Sequence, residues 1–127
     1  MNIVKARILV VDDDRLMRAF IADVLSRLGI QDVQECEDGA SGLVAAVKFR
    51  PDLILSDIHM QPMSGLEFVR KLRAIGDPRT SATKVIFMSA DASKETLGEA
   101  LPLGILGYII KPPRIEAVKA KIEAALK

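Results

Sequence analysis

Five short apolar runs, separated by stretches with helical spacing, are the feature of this sequence that most restricts its fold. The runs are rich in Val, Ile and Leu, and the second is the weakest; they cover residues 8–11, 33–36, 53–55, 85–88 and 108–110. Their apolar residues are mostly consecutive rather than alternating, which is typical of strands covered on both faces, as in a parallel sheet. The sequence therefore predicts five buried strands.

The stretches between and after these runs repeat apolar residues at the spacing of an amphipathic helix. The expected apolar positions are Leu16, Phe20, Val24, Leu25 and Leu28; Leu43, Val44 and Val47; Leu66, Val69, Leu72 and Ile75; and Ile115, Val118, Ile122 and Leu126. A fourth helix is expected over about residues 93–101, and Gly29, Pro51, Gly76 and Pro102 mark where the first four helices stop. Strict alternation of strand and helix predicts a three-layer α/β domain, a doubly wound parallel sheet with helices on both faces.

Length and composition limit what the chain can do. Its 127 residues fit one domain, 1–127, without room for an output domain, and the single Cys36 excludes an internal disulfide. A formal charge of +1, four Phe, one Tyr and no Trp disfavour direct nucleic-acid binding. No apolar run approaches the ~20 residues of a membrane span, and the first seven residues do not form a secretory signal. We therefore expect a cytoplasmic protein that binds no membrane.

Polar residues follow four of the five predicted strands. Residues 12–14 are three aspartates, residues 56–57 are Ser-Asp, residues 89–91 are Ser-Ala-Asp, and residues 111–112 are Lys-Pro. Ligands bind beyond the carboxyl ends of parallel strands, where these residues should meet. Each has an alternative explanation, because Asp and Ser often cap helices and Lys is usually a solvated surface charge. Three adjacent carboxylates repel one another unless a cation balances them, so their joint placement favours a site.

These residue types point to phosphoryl chemistry. Several carboxylates with little His or Cys favour a hard cation such as Mg²⁺, which binds carboxylates together with water and phosphate oxygens. A carboxylate can act as a nucleophile and form an aspartyl phosphate. Lysine and serine can bind phosphoryl oxygens as a point charge and a hydrogen-bond donor. No Gly-rich nucleotide loop is present, so ATP is not required as the donor.

Four sequence blocks, taken together and in order, resemble the receiver domains of two-component response regulators. They are Val-Val-Asp-Asp-Asp at 10–14, Leu-Ser-Asp at 55–57, Met-Ser-Ala at 88–90 and Gly-Tyr-Ile-Ile-Lys-Pro at 107–112. The resemblance covers essentially the whole chain, which looks like a single-domain member of the chemotaxis-regulator kind. It implies a flavodoxin-like (βα)5 fold with the strand order 2-1-3-4-5.

The resemblance implies a role for each residue of the acidic group. Asp57 matches the phosphoacceptor. Asp12 and Asp13 match the acid pair that holds Mg²⁺, together with Asp57, and His59 falls where a backbone carbonyl completes the coordination. His59 is the only histidine, and we expect an exposed loop residue rather than a catalytic base.

The later blocks imply the switching residues. Ser89 matches the hydroxyl that moves toward the phosphoryl group, and Ala90 matches the small neighbour that leaves it access. Tyr108 matches the aromatic residue that reorients on activation. Lys111 matches the lysine that pairs with acceptor and phosphoryl oxygens, and its bond to Pro112 is expected to be cis.

The implied function is a phosphorylation-dependent signalling switch that catalyses only its own aspartyl phosphorylation and dephosphorylation. A histidine kinase or histidine phosphotransfer domain would supply the phosphoryl group, and the face of the fourth helix, fifth strand and fifth helix would engage a downstream protein. The sequence does not decide whether the protein forms a dimer on phosphorylation. Two alternatives remain: a small phosphohydrolase of the haloacid dehalogenase type, whose usual second Asp is His59 here, and a scaffold that works without phosphorylation.

Two segments depart from the family pattern. After the acceptor the family usually has Met-Pro, whereas residues 60–65 read Met-Gln-Pro-Met-Ser-Gly. The loop length is kept, which predicts an altered loop and an intact site. Residues 101–106 are bulkier than is usual, and Pro102 should shorten the fourth helix and change the shape of the output face.

Overall fold

The apolar runs form five parallel strands. The computed structural model describes residues 2–91 and 93–127, so within the expected domain 1–127 Met1 and Ala92 lie outside the description. The strands are β1 (Arg7–Val11), β2 (Asp32–Cys36), β3 (Leu53–Asp57), β4 (Lys84–Ser89) and β5 (Gly107–Ile110). All neighbours pair in parallel, in the order β2-β1-β3-β4-β5. This confirms the predicted flavodoxin-like sheet.

Within residues 2–91 and 93–127, six α-helices accompany the strands, one more than the sequence predicted. They are α1 (Arg15–Arg27), α2 (Gly39–Lys48), α3 (Gly65–Arg73), α4 (Pro78–Ser81), α5 (Lys94–Ala100) and α6 (Ile115–Ala125), with short 3₁₀ helices at Ile3–Lys5 and Leu101–Leu103. The predicted fourth and fifth helices are α5 and α6. In the described part of the chain no helix is long and apolar enough to cross a membrane.

The unpredicted α4 is a single turn that begins at Pro78. The Asp77 side chain accepts hydrogen bonds from the Arg79 amide, at 3.3 Å, and the Thr80 hydroxyl, at 2.8 Å. Proline is favoured at the first helical position, where its missing N–H is not needed. The Gly-Asp-Pro sequence therefore both follows the end of α3 and starts a new turn.

Side chains on alternate strand positions divide the core into two layers, as the two faces of a covered sheet require. Ile8 and Val10 of β1 pack in the layer under α1 and α6, whereas Leu9 and Val11 pack in the layer under α2 and α3. All four side chains are completely buried. This burial explains why β1 reads as a continuous apolar run. The prediction of five buried strands is wrong for β2, which lies at the edge of the sheet and buries only Cys36.

The prediction of which residues of α1 and α2 are buried is partly wrong. Leu16 is 81% exposed and Phe20 44% exposed, although Val24 and Leu25 of the same stripe are buried. Phe20 and Leu16 belong to the first half of α1, nearest the sheet edge that carries the polar residues. Only the second half of this helix packs its predicted stripe into the core.

On α2 the small residues, and not the valines, face the sheet. The buried residues are Gly39, Gly42, Ala45 and Ala46, whereas Val44 and Val47 are exposed. A Cβ on Gly42 would lie 3.0 Å from the Phe68 ring and 3.2 Å from Val11. Close approach of α2 to the sheet therefore requires its small face, and it turns the valines outward.

Candidate functional site

The sheet order brings the polar residues predicted for the site to one edge. Asp12 follows β1, Asp57 ends the adjacent β3, Ser89 ends β4, and Lys111 follows β5. Because β1, β3, β4 and β5 are successive neighbours and run in the same direction, their carboxyl ends are adjacent. The expected gathering of these residues is confirmed.

Asp12, Asp13 and Asp57 form a group that we call the carboxylate cluster. One oxygen from each residue lies within 4.8 Å of the others. Asp12 is fully buried and Asp57 is 7% exposed, whereas Asp13 is exposed. The Asp13 Oδ2 atom accepts a hydrogen bond from the Gln61 amide at 3.2 Å, so the altered loop after β3 still reaches the cluster.

Lys111 is the cation of the cluster. Its Nζ lies 2.7 Å from Asp12 Oδ2 and 3.4 Å from Asp57 Oδ2, and its side chain is 13% exposed. Burial lowers the pKa of Lys111, but the hydrogen bond and charge of Asp12 and the charge of Asp57 outweigh it, so the pKa is raised. The ammonium group therefore stays charged. The bond from Lys111 to Pro112 is cis, as predicted.

The cluster has more negative than positive charge. Burial raises the pKa of Asp57, the charge of Lys111 opposes that shift, and the charge of Asp12 adds to it. Three carboxylates face one ammonium group, which leaves two negative charges uncompensated when all are ionised. All the ligand atoms that these side chains offer are carboxylate oxygens, the donors that Mg²⁺ prefers. The residues present fit a divalent hard cation.

A separate set of hydrogen bonds connects the ends of β4 and β5. Ser89 is 1% exposed, and its Oγ accepts a hydrogen bond from the Asp91 amide at 3.0 Å. The Tyr108 hydroxyl donates to the Asp91 carbonyl, and burial raises the pKa of Tyr108. Ser89 and Tyr108, the two predicted switch residues, therefore both bind the backbone of Asp91.

Asp91 also lies at this edge of the sheet, and no role was predicted for it from the sequence. Its carboxylate accepts hydrogen bonds from the Ser93 amide at 2.9 Å and the Thr96 hydroxyl at 2.7 Å, and it pairs with His59 Nε2 at 2.9 Å. These partners, the Ser93 amide first, hold the pKa of Asp91 well below its usual range. The feature of the sequence that could have indicated this role is the position of Asp91, an acidic residue two positions after Ser89. We call Ser89, Asp91, Thr96 and Tyr108 the β4–β5 network.

His59 is 60% exposed at its side chain, which agrees with the expectation of an exposed loop residue. Its pairing with Asp91 was not expected, and it joins the loop after β3 to the loop after β4. A cleft opens between these loops; its lining residues are Asp57, His59, Ser89, Ala90, Asp91 and Lys111. The cleft gives a small molecule in solution a route to the Asp57 carboxylate.

Two residues missing from the sequence prediction touch the backbone of the cluster. The Gly65 amide donates to the Ile58 carbonyl at 2.6 Å, and a Cβ on Gly65 would lie 2.1 Å from the Asp57 carbonyl oxygen. Arg18 Nη1 donates to the Asp12 carbonyl at 2.6 Å. Neither contact is visible as a motif, because both depend on how α1 and α3 start beside the sheet.

Comparison with known proteins agrees with this geometry. The model of the response regulator receiver domain family matches residues 8–123. Chemotaxis protein CheY1 of Helicobacter pylori J99 is 35% identical over 121 residues, covering 94% of this chain and 96% of that one. Chemotaxis protein CheY of Pseudomonas aeruginosa is 33% identical over 117 residues, covering 92% of this chain and 93% of that protein.

Solved structures agree as well. The structure of Vibrio cholerae chemotaxis protein CheY4, crystallised at low pH, superimposes with a TM-score of 0.88 at 30% identity. The match covers 96% of this chain and 99% of that chain. The likeness therefore extends over the sheet, the helices and the edge that carries the carboxylate cluster.

Proposed function

This chain belongs to the response regulator receiver domain family, and from that premise we propose that Asp57 is the phosphoacceptor of the domain. As a receiver domain, the protein is a phosphorylation-dependent switch of a two-component system. The observation that carries the assignment is the position of Asp57. It ends a central strand, lies 3.4 Å from the Lys111 ammonium group, belongs to the carboxylate cluster and lines the cleft.

The proposed reaction is transfer of a phosphoryl group to an Asp57 carboxylate oxygen. With acetyl phosphate as the donor, the new bond joins that oxygen to phosphorus. The bond from phosphorus to the acetyl oxygen breaks, and acetate leaves with the electron pair. With a histidine kinase or histidine phosphotransfer domain, the P–N bond of a phosphohistidine breaks instead. Lys111 is held 3.4 Å from Asp57 Oδ2, because its pairing with the buried Asp12 fixes the ammonium group in place.

We propose that Asp12, Asp13 and Asp57 hold Mg²⁺, with the carbonyl of His59 as a further ligand. When bound, this ion neutralises negative charge between the carboxylates and the phosphoryl group. The two uncompensated negative charges of the cluster favour a divalent ion over a monovalent one. Lys111 contributes the remaining positive charge at the Asp57 oxygen.

Ser89 and Tyr108 are proposed to transmit the modification. A phosphoryl group on Asp57 would present charged acceptor oxygens, which form stronger hydrogen bonds with the Ser89 hydroxyl than a neutral partner does. Movement of Ser89 would take the acceptor away from the Asp91 amide, which it now bonds at 3.0 Å. The Asp91 carbonyl is the partner of Tyr108, so the tyrosine would be affected next.

The proposed output surface consists of α5, β5 and α6. Ile110 of β5 is 49% exposed, and Leu101 and Leu106, in the segment that joins α5 to β5, are 64% and 51% exposed. Exposed apolar surface is what a protein partner would cover. We propose that the phosphorylated form engages its downstream protein here, and that residues 1–127 act as one receiver domain.

The test is intact-mass measurement after incubation with acetyl phosphate and Mg²⁺. The wild type should gain one phosphoryl group and Asp57→Asn should gain none, because the amide is not a nucleophile of this kind. Asp23→Asn is the matched control, since Asp23 pairs with Arg27 on the exposed side of α1, and it should be labelled normally. Labelling that persists in Asp57→Asn would assign the acceptor to another residue.

A second assay separates the switch from a phosphohydrolase. Each protein is incubated with a simple phosphate monoester, and release of inorganic phosphate is measured over many equivalents of protein. A switch should release no more than the small amount that its own dephosphorylation allows. Continuous turnover that disappears in Asp57→Asn would favour an enzyme of the aspartyl-phosphate class instead.

A further inference from the structure

Arg18 is a mostly buried cation that binds the backbone of the acidic loop and not its carboxylates. The side chain is 15% exposed. Its Nη1 donates to the Asp12 carbonyl at 2.6 Å, and its Nε lies 3.8 Å from the Glu35 carboxylate in β2. Lys111, in contrast, binds the Asp12 carboxylate. The two cations therefore hold different parts of the same residue.

The Asp12 carbonyl belongs to the planar peptide group that joins Asp12 to Asp13. A strong donor on this oxygen fixes the plane of that group, and with it the directions in which the two side chains leave the backbone. Asp12 is fully buried, so water is poorly placed to replace the guanidinium group. A buried carbonyl that loses its donor is costly, and the peptide group would rotate to find another partner.

We propose that Arg18 is a positioning residue, which holds the Asp12–Asp13 peptide so that both carboxylates can bind the divalent ion. This inference rests on the proposed function, in which Asp12 and Asp13 are ligands of Mg²⁺. Arg18 itself touches neither the ion nor the phosphoryl group. It acts through a 2.6 Å hydrogen bond to the backbone between the two ligands.

The positive charge of Arg18 should by itself weaken Mg²⁺ binding, whereas its hydrogen bond to the Asp12 carbonyl should strengthen it. A fixed positive charge near a cation site weakens cation binding by electrostatic repulsion. If charge dominated, removal of Arg18 would strengthen Mg²⁺ binding. If the hydrogen bond to the Asp12 carbonyl dominates, removal of Arg18 weakens binding. The two effects have opposite signs, so the direction of the change decides between them.

The experiment is an NMR titration of ¹⁵N-labelled protein with MgCl₂ alone, which follows the amide signals of residues 12–14 and 57–61. Arg18→Met keeps the aliphatic length and should raise the dissociation constant about tenfold, the effect of one hydrogen bond to a charged group. Arg18→Lys keeps a cationic donor and should stay within about threefold of the wild type. Arg27→Met, on the same helix with an exposed partner, should not change binding.

A second readout separates positioning from general destabilisation. With acetyl phosphate as donor, Arg18→Met should need about tenfold more Mg²⁺ for half-maximal labelling and should reach nearly the wild-type rate at saturating Mg²⁺. If Arg18→Met loses its folded amide spectrum, Arg18→Leu replaces it, because Leu also removes both the charge and the hydrogen-bond donor while keeping an aliphatic side chain. It too should bind Mg²⁺ more weakly than the wild type.

Two results would overturn the inference. One is binding by Arg18→Met or Arg18→Leu that equals or exceeds wild-type affinity, which would mean that the charge of Arg18 outweighs its hydrogen bond. The other is Arg18→Lys that binds as weakly as Arg18→Met, since a cationic donor would then not be what matters. Asp13→Ala tests the premise separately. If the wild type and Asp13→Ala bind Mg²⁺ equally, the ligand assignment fails, whatever Arg18 does.

Discussion

The two halves of the site are held together by different forces. The carboxylate cluster is built on a buried ion pair, Lys111 with Asp12 at 2.7 Å, in which Asp12 has no exposed surface. The β4–β5 network is built on hydrogen bonds to a single residue, Asp91, whose side chain is 34% exposed. One half is fixed by charge in a buried setting, and the other by several weaker bonds near solvent.

This difference matches two different tasks. A nucleophile and its cation have to be in place before the donor arrives, because catalysis by positioning depends on preformed geometry. A switch has to exchange partners at a small free-energy cost, and ordinary hydrogen bonds of about 1 kcal/mol allow that. The His59–Asp91 pair at 2.9 Å is a direct side-chain link between the loops of the two halves. Substitutions should therefore affect stability more in the cluster than in the network.

The largest loss of stability is expected for Lys111→Met, measured by urea unfolding in Mg²⁺-free buffer. The substitution leaves the fully buried Asp12 carboxylate without its cation. Breaking a buried pair in this way should lower the free energy of unfolding by about 3 kcal/mol. Because the substitution removes the cation of the carboxylate cluster, the unphosphorylated protein should be clearly less stable than the wild type.

Lys71→Met is the matched control for that measurement. Lys71 pairs with Glu67 at 3.9 Å, and both side chains are about half exposed. An exposed pair of this kind contributes little, so the free energy of unfolding should change by no more than about 0.5 kcal/mol. Equal effects of the two substitutions would mean that the cluster is not held by its ion pair.

The next largest effect is expected for Gly65→Ala, at the point where α3 begins beside the acceptor. An added Cβ would lie 2.1 Å from the Asp57 carbonyl oxygen and 2.8 Å from the Ile58 Cα, and both are backbone atoms. Since a backbone cannot move aside as a flexible side chain can, unfolding free energy should fall by about 2 kcal/mol. The labelling rate with acetyl phosphate should fall as well, because Asp57 is displaced.

Gly98→Ala, in α5, should instead raise the free energy of unfolding. Gly98 lies within α5, and an added Cβ would meet nothing within 4 Å. Alanine should therefore stabilise the helix by about 0.5 kcal/mol through lower backbone entropy. A Gly65→Ala protein as stable as the wild type would show that α3 can shift without strain, and the acceptor would be less rigidly held than its contacts suggest.

Most of the fold could be predicted because β1, β3 and β4 are buried along nearly their whole length and the first four predicted helices are each followed by a Gly or Pro. Gly29, with a φ of 85°, follows α1 where expected, and the strand order agreed with the family resemblance. The buried face of α2 could not be predicted. Hydrophobicity favoured Val44 and Val47, but close packing against the sheet selected the small residues, and steric fit does not appear in an apolar pattern.

For the site, the sequence indicated which residues gather and missed how they are held. Asp12, Asp57 and Lys111 follow strands that the sheet places side by side, so their meeting depends only on topology. The contacts of Arg18 and Asp91 depend on side-chain direction and loop shape. Such contacts between residues on different elements have no spacing rule in the sequence, and the structure is needed to find them.

Among the substitutions in the site, Ser89→Ala is expected to have the smallest effect on stability and the most specific effect on switching. The hydroxyl accepts one hydrogen bond, from the Asp91 amide, so its loss should lower the free energy of unfolding by about 1 kcal/mol. Asp57 should still be phosphorylated, because no step of the transfer requires Ser89. A hydrogen bond from Ser89 to a charged phosphoryl oxygen contributes about 1.5–3 kcal/mol, which shifts a two-state equilibrium roughly ten- to a hundredfold.

Without that hydroxyl, phosphorylation should have much less influence on the β4–β5 network. In ¹⁵N–¹H spectra recorded with and without acetyl phosphate, the changes at Tyr108 and across residues 93–110 should be smaller in Ser89→Ala than in the wild type. Ser81→Ala is the control, since the Ser81 hydroxyl bonds the Pro78 carbonyl within α4, at the opposite end of β4. Full-sized changes in phosphorylated Ser89→Ala would rule out this route. Coupling would then run through Lys111, whose amide donates to the Ser89 carbonyl at 2.9 Å.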